Sequence, residues 1–227
     1  MDGREKTLNG LHEELIECRR CPRLVAWREE VGRKKRRAFQ HENYWARPVP
    51  GFGDPKARIL IFGLAPGAHG SNRTGRMFTG DASGSFLYPA LWRAGLASQP
   101  QASGRDDGLE LFDVYITAAV RCVPPKNKPT RAEFAACSYW TERELALLPE
   151  LKVYLALGKL AHDALLDYHG LVKARYPFGH GKEYRLPDGR TLLDSYHVSR
   201  QNTQTGKLTA EMFDRVLARA KKLAGVG

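Results

Sequence analysis

The first residues able to do chemistry are four cysteines. Cys18 and Cys21 form a C-x2-C pair near the N-terminus, and Cys122 and Cys137 form a wider pair far downstream. Four thiolates can bind zinc tetrahedrally or hold an iron–sulfur cluster, and the first spacing suits either. The second pair spans a loop and the first turns of a predicted helix, unlike the tight knuckle of small zinc modules. The alternative is that Cys122 and Cys137 are buried apolar residues and only the first pair is special. No His, Asp or Glu beside these cysteines suggests a water-bearing metal site, so a closed structural centre is expected over metal catalysis. Two other stretches carry polar chemistry. Gly63-Leu64-Ala65-Pro66-Gly67-Ala68-His69-Gly70 is a turn whose backbone N–H groups suit an anion or a polar ring edge. It is neither G-x-G-x-x-G nor G-x-x-x-x-G-K-[ST], which argues against a dinucleotide or ATP site. The second stretch is His197-Val198-Ser199-Arg200-Gln201-Asn202.

These residues need elements to position them. Leu11 to Val31 reads as helix, broken or bent near Cys21-Pro22. A basic run, Arg33 to Arg37, and the aromatic segment His41 to Pro48 follow. Ile59 to Phe62 is a short continuous apolar run ending in Gly63, the pattern of a buried parallel strand. Val114 to Val120, Val153 to Leu157 and Thr191 to Tyr196 repeat it. Helical stretches Ser85 to Ala94, Arg131 to Leu148 and Lys159 to Asp167 lie between, and a last helix starts at Thr209 as N-cap. Ser98 to Gly108 reads as a surface loop. The alternation predicts an α/β three-layer α/β/α sandwich with a central, mostly parallel four-stranded sheet. Ligands of such sheets bind beyond the carboxyl ends of the strands. That rule gathers Gly63 to Asp81, Arg121 to Thr130, Leu157 to Lys159 and His197 to Gly206.

Composition bounds the rest. The 227 residues, 42% hydrophobic, suit one domain over 1–227, with a helical and basic arm over 1–50 tied to the core. No apolar run reaches the ~18 residues of a membrane span. The first ten residues lack the apolar region of a secretory signal, which predicts a cytoplasmic protein, where paired cysteines serve metals or redox chemistry more than disulfides. Lys and Arg number 36 against 25 Asp and Glu, a formal charge of +11. Such a charge attracts polyanions, and without an amphipathic anchor it points to nucleic acid rather than a membrane surface.

The glycine turn, Gly75-Arg76-Met77-Phe78-Thr79-Gly80-Asp81, Arg121-Cys122-Val123-Pro124-Pro125 and the His197 stretch together resemble the uracil-DNA glycosylase superfamily. The chain is most similar to its family 5, or type b, an iron–sulfur branch from thermophiles, and the resemblance spans nearly the whole length. It implies that Cys18, Cys21, Cys122 and Cys137 hold a structural 4Fe–4S cluster. In the related family 4 a Glu follows the first strand and an Asn precedes the third cysteine. Here Leu64 and Ala118 stand in those places. Both substitutions agree with the family 5 pattern, which implies tolerance of hypoxanthine and xanthine beside uracil, since a lost buried amide relaxes discrimination.

The resemblance further implies a site made of Gly63, Leu64, Ala65, Gly67, Phe78 and Asn127 around a flipped base, with Phe78 stacked on it. Phe78 by pattern alone is equally a core residue. Asp81 is either a helix N-cap or the carboxylate that orients a water and offsets charge developing on the deoxyribose. His197 is either a structural donor or the group that donates to O2 of the departing base. Ser199 to Gly206 is expected as a loop entering the minor groove, with Ser199, Gln201, Asn202 and Gln204 near the gap and Arg200 on a phosphate. His69, Asn72 and Arg73 are expected to face DNA. No lysine in these motifs is placed for a Schiff base, so the implied enzyme is monofunctional and leaves an abasic site. Its expected partner is double-stranded DNA containing deaminated bases, with single-stranded DNA a further candidate, and the protein is expected to be a monomer. Two other readings are a noncatalytic iron–sulfur nucleic-acid-binding protein and a zinc-dependent nucleotide hydrolase.

Overall fold

The computed structural model of the chain describes residues 7–227. The first six residues of the expected arm, with most of the stretch read for a signal, lie outside the described residues. The arm opens with α1 (Leu8–Ile16), capped by the Thr7 side chain accepting from Gly10 N, and α2 (Pro22–Lys34). The predicted helix is therefore two. Pro22 sits in the first turn of α2, where its missing N–H costs nothing, and residues 17–21 between the helices present the first cysteine pair.

Six strands form one sheet in the order β1-β3-β2-β4-β6-β5. They are β1 (Phe52–Gly53), β2 (Ile59–Gly63), β3 (Val114–Ala118), β4 (Val153–Leu157), β5 (Glu183–Arg185) and β6 (Thr191–Ser195). The central four are parallel, as expected, and every residue in them is buried. The expected four-stranded sheet is extended by two antiparallel edges, β1 on β3 and β5 on β6. At two and three residues they are too short to show alternation.

Alternate strand residues enter opposite layers, which is why the strands read as unbroken apolar runs. Ile59, Ile61, Val114, Ile116, Val153, Leu155 and Leu193 face one layer, made with α4 (Gly84–Arg93) and α8 (Ala210–Ala224). Leu60, Phe62, Tyr115, Tyr154 and Leu192 face the other, made with α5 (Arg131–Ala146) and α6 (Lys159–Tyr168). Thr209 caps α8 as predicted, accepting from Met212 N at 3.2 Å, and a Thr130–Glu133 capping box starts α5. After β2 and β6 the chain leads to the α4–α8 layer, and after β3 and β4 to the α5–α6 layer. In sheets of this kind ligands bind beyond the carboxyl ends of the strands, where the connections leave toward opposite layers. Among the described residues no helix is long and apolar enough to cross a membrane.

Candidate active site

At the carboxyl end of β2 the chain leaves the sheet through Gly63, and a ring closes over that glycine. A Cβ on Gly63 would stand 2.9 Å from Phe78 Cζ, so only a residue without one lets the ring lie there. Phe78 itself holds a left-handed φ of +51°, in a turn that brings the half-buried ring back to the strand ends. The His197 ring, just past β6, lies with its centroid 6.2 Å from that of Phe78 and tilted by 38°. Gly158 (φ +93°), which follows β4, backs the histidine: a Cβ there would come within 3.1 Å of His197 Cβ. Burial lowers the imidazole pKa to about 4, so His197 is neutral at physiological pH and carries one N–H.

Asp81 lies in a cradle of two glycines. A Cβ on Gly67 would approach its Oδ2 to 2.9 Å, and one on Gly70 would overlap it outright. Oδ1 accepts from the backbone N–H groups of Ser83 (3.0 Å) and Gly84 (3.2 Å) at the entry to α4. Oδ2 has no donor among the described residues. Capping therefore occupies one oxygen of the carboxylate and leaves the other without a donor among the described residues. Burial raises the Asp81 pKa, opposed by the two N–H groups and by the Arg73 charge.

The arm grips this loop. α3 (Ser71–Thr74) follows the glycine turn, and its Asn72 and Arg73 carbonyls accept from Ala46 N (3.0 Å) and Trp45 N (2.8 Å). Arg73 donates to His69 O at 2.8 Å and Gly80 O at 3.0 Å, pairs with Glu42, and lies 3.9 Å from the Phe39 ring centroid. His69 shares a 3.0 Å hydrogen bond with the Tyr44 hydroxyl, and burial lowers its pKa. Asn72 is fully buried, with Nδ2 donating to Arg28 O at 3.3 Å. The expectation that Asn72 faces a ligand is therefore corrected: it joins α3 to α2. Arg73 and His69 are half-buried and hydrogen-bonded within the protein.

Other expected residues separate by place. The Leu64 carbonyl accepts from Val120 N at 3.0 Å, continuing the pairing of β2 and β3, and Ala65 packs against the cysteine layer. Asn127 is exposed in a short 3-10 turn, Pro125–Asn127, at φ +55°, with no side-chain hydrogen bond among the described residues. The expected loop after Ser199 is instead a short helix, α7 (Arg200–Gln204). Asn202 donates to His197 O at 2.8 Å, which fixes the histidine segment and removes that amide from the surface role expected of it. Arg200, Gln201 and Gln204 are exposed beside it and Ser199 is half-buried. The surface loop expected at Ser98 to Gly108 is anchored by an ion pair of Asp107 with the buried Arg76, 2.5 Å.

All four cysteines meet in one small apolar pocket between α1, α2 and α5, together with Leu15, Leu24 and Trp140. They are free thiols in this structure. Three sulfurs receive N–H donors: Cys18 from Trp140 Nε1 (3.3 Å), Cys122 from Arg28 Nη1 (3.0 Å) and Cys137 from Arg121 N (3.3 Å). Burial pushes the Cys122 thiol up to about 11 and that of Cys137 to about 12. Among the described residues no three His, Cys, Asp or Glu converge to hold a single metal ion. Arg28 stands in none of the motifs read from the sequence. The signal that could have found it is the helical face it shares with Leu24 and Val31, all three buried.

Residues 50–221 match the uracil DNA glycosylase superfamily. Among individual relatives, a type-5 uracil-DNA glycosylase of Thermus thermophilus is 68% identical over 215 residues, 94% of this chain and 97% of its own length. One of the same name from Pyrobaculum aerophilum is 48% identical over 93% of this chain and 91% of its own. A type-4 uracil-DNA glycosylase of that organism is 32% identical over 72% of this chain and 66% of its own.

Proposed function

The chain belongs to the uracil DNA glycosylase superfamily, and on that premise we propose that it is a monofunctional glycosylase that hydrolyses the N-glycosidic bond of uracil in DNA. Hypoxanthine and xanthine are included as substrates, and the abasic product opens base excision repair in the compartment that holds the DNA. The observation that carries this reading is the divided role of Asp81. One oxygen is pinned by two backbone N–H groups, the other has no donor among the described residues and lies in a glycine cradle, and the Phe78 and His197 rings neighbour each other at the same end of the sheet.

Chemistry follows from those groups. A base turned out of the duplex enters the crevice and stacks on Phe78. As the C1′–N bond breaks, positive charge grows on the sugar and negative charge on the base. The ionised Asp81 carboxylate offsets the first and orients a water toward C1′. Neutral His197 donates its N–H to the O2 that gathers the second, with no proton to lose beforehand. Leu64 and Ala118 place no side-chain amide or carboxylate against the base, which favours a broad range of deaminated substrates.

Cys18, Cys21, Cys122 and Cys137 are the proposed ligands of a 4Fe–4S cluster. The donor set fits: four thiols line one pocket, three already receive N–H donors, and two buried guanidinium Nε–H groups beside them, of Arg28 and Arg121, lack acceptors. When bound, the cluster supplies a structural cross-link between the arm and the sheet. The deciding assay is release of base from a duplex panel carrying U, hypoxanthine, xanthine or T opposite G. Release of U and of the deaminated purines is expected. Binding of every duplex with release from none would overturn the enzymatic reading in favour of a noncatalytic binding protein.

A further inference from the structure

The least explained charge in the protein is Arg28. Its side chain is 2% exposed, in the apolar layer formed by α1, α2 and α5. Among the described residues no carboxylate lies within ion-pairing distance, and the neighbouring Glu29 is exposed and paired with Arg19 at 2.6 Å. The guanidinium donates through Nη1 to Cys18 O (3.2 Å) and Cys122 Sγ (3.0 Å), while its buried Nε–H has no acceptor. An isolated buried cation is among the most unfavourable arrangements in a protein interior, so its charge must be balanced by something held nearby.

Arg121, the other buried arginine at this pocket, makes the contrast clear. It meets Glu144 in a two-pronged ion pair at 3.0 and 2.6 Å, and Glu144 also accepts from the Tyr115 hydroxyl. Its charge is neutralised within the polypeptide. That of Arg28 is not, and among the described residues the only side chain it is hydrogen-bonded to is a cysteine. A thiol bound to a metal is deprotonated, and four thiolates around a 4Fe–4S core leave the whole centre anionic.

We propose that Arg28 is the buried counter-charge of an anionic centre held by Cys18, Cys21, Cys122 and Cys137, and that its positive charge sets how firmly that centre is retained and how readily it accepts an electron. The inference rests on the cluster reading given above. Arg28 also links the centre to the candidate site. Its carbonyl accepts from Asn72, whose backbone N–H is bonded to Gly67 O in the cradle of Asp81.

The test uses the full chain, purified anaerobically, as wild type, Arg28→Lys and Arg28→Gln. Iron and acid-labile sulfide per chain, the rate of iron loss to a chelator and the midpoint potential of the centre are measured on each. The glutamine keeps an N–H donor and removes the charge. It should lose iron about 10-fold faster than wild type and show a more negative midpoint potential, because an added electron is no longer offset. The lysine should remain near wild type in both. Indistinguishable Lys and Gln variants, whether both intact or both depleted, would show that charge is not what Arg28 contributes. A wild-type chain purified without iron and sulfide would overturn the cluster reading itself, and this inference with it.

Discussion

At the scale of single residues, the proposed mechanism divides the charge of one bond-breaking step between Asp81 and His197, whose pKa values burial moves in opposite directions. Burial raises the Asp81 pKa toward the working range, and its ionised form is the useful one. Activity should therefore fall as pH drops through that raised value. Asp81→Asn should lower kcat on the order of 10²–10³-fold and erase this acid limb in a pH profile of single-turnover cleavage. His197, held down to about 4, is neutral across the same range and adds no limb of its own near neutrality. His197→Ala should slow cleavage by roughly 10²-fold while leaving duplex affinity, measured by anisotropy, near wild type. Equal losses in rate and affinity would assign the histidine to positioning DNA instead. The types and spacing of Asp81, Phe78 and His197 were legible in the sequence, because motif residues bracket strand ends. The separate duties of the two Asp81 oxygens were not, since they depend on where Gly67 and Gly70 lie in space. Asn72 misled for a related reason: a polar residue in a surface-like motif is buried by an arm from far away in the chain.

At the scale of elements, the central strands and the major helices were readable because two-sided burial writes continuous apolar runs and period-3.6 stripes into the chain. The edge strands β1 and β5 were not, being defined by pairing partners and not by their own pattern. What the sequence hid most is the packing of the arm on α3. Arg73 bridges His69 and Gly80, the two ends of the segment that runs from the glycine turn into Asp81, and it is held from outside by Glu42 and Phe39. A Cβ on Gly80 would approach Arg73 Nη2 to 2.5 Å, so the loop and the guanidinium fit without spare room. Arg73→Ala should loosen the carboxylate and lower kcat by up to about 10²-fold, with a smaller change in KM. It should also move the acid limb to higher pH, because the Arg73 charge is one of the influences that lower the Asp81 pKa. A reduced rate with the limb unmoved would mean that the arginine acts on loop structure alone.

Across the whole molecule, part of the net charge of +11 lies on the arm. Arg33, Arg36 and Arg37 are exposed at the end of α2 and just beyond it, without carboxylate partners among the described residues. The backbone N–H of Arg36 donates to the Tyr44 hydroxyl, and Tyr44 is hydrogen-bonded to His69 in the turn that cradles Asp81. The basic run thus adjoins the site and is fixed to it through the arm. The arm is fixed to the sheet at the cysteine pocket and by the pairing of Arg23 in α2 with Glu133 in α5, 2.6 Å. In the proposed function, a polyanion drawn to that run would lie near the glycine turn, and each phosphate it engaged would release bound counterions. Replacing Arg36 and Arg37 together with Ser should weaken duplex binding and flatten the plot of log affinity against log salt by about 2, close to 0.9 for each phosphate no longer neutralised. Single-turnover cleavage at saturating protein should stay near wild type, since neither side chain reaches Asp81 or His197. An unchanged salt slope would place the duplex on another face, and the exposed Arg200 of α7 would then be the next residue to replace.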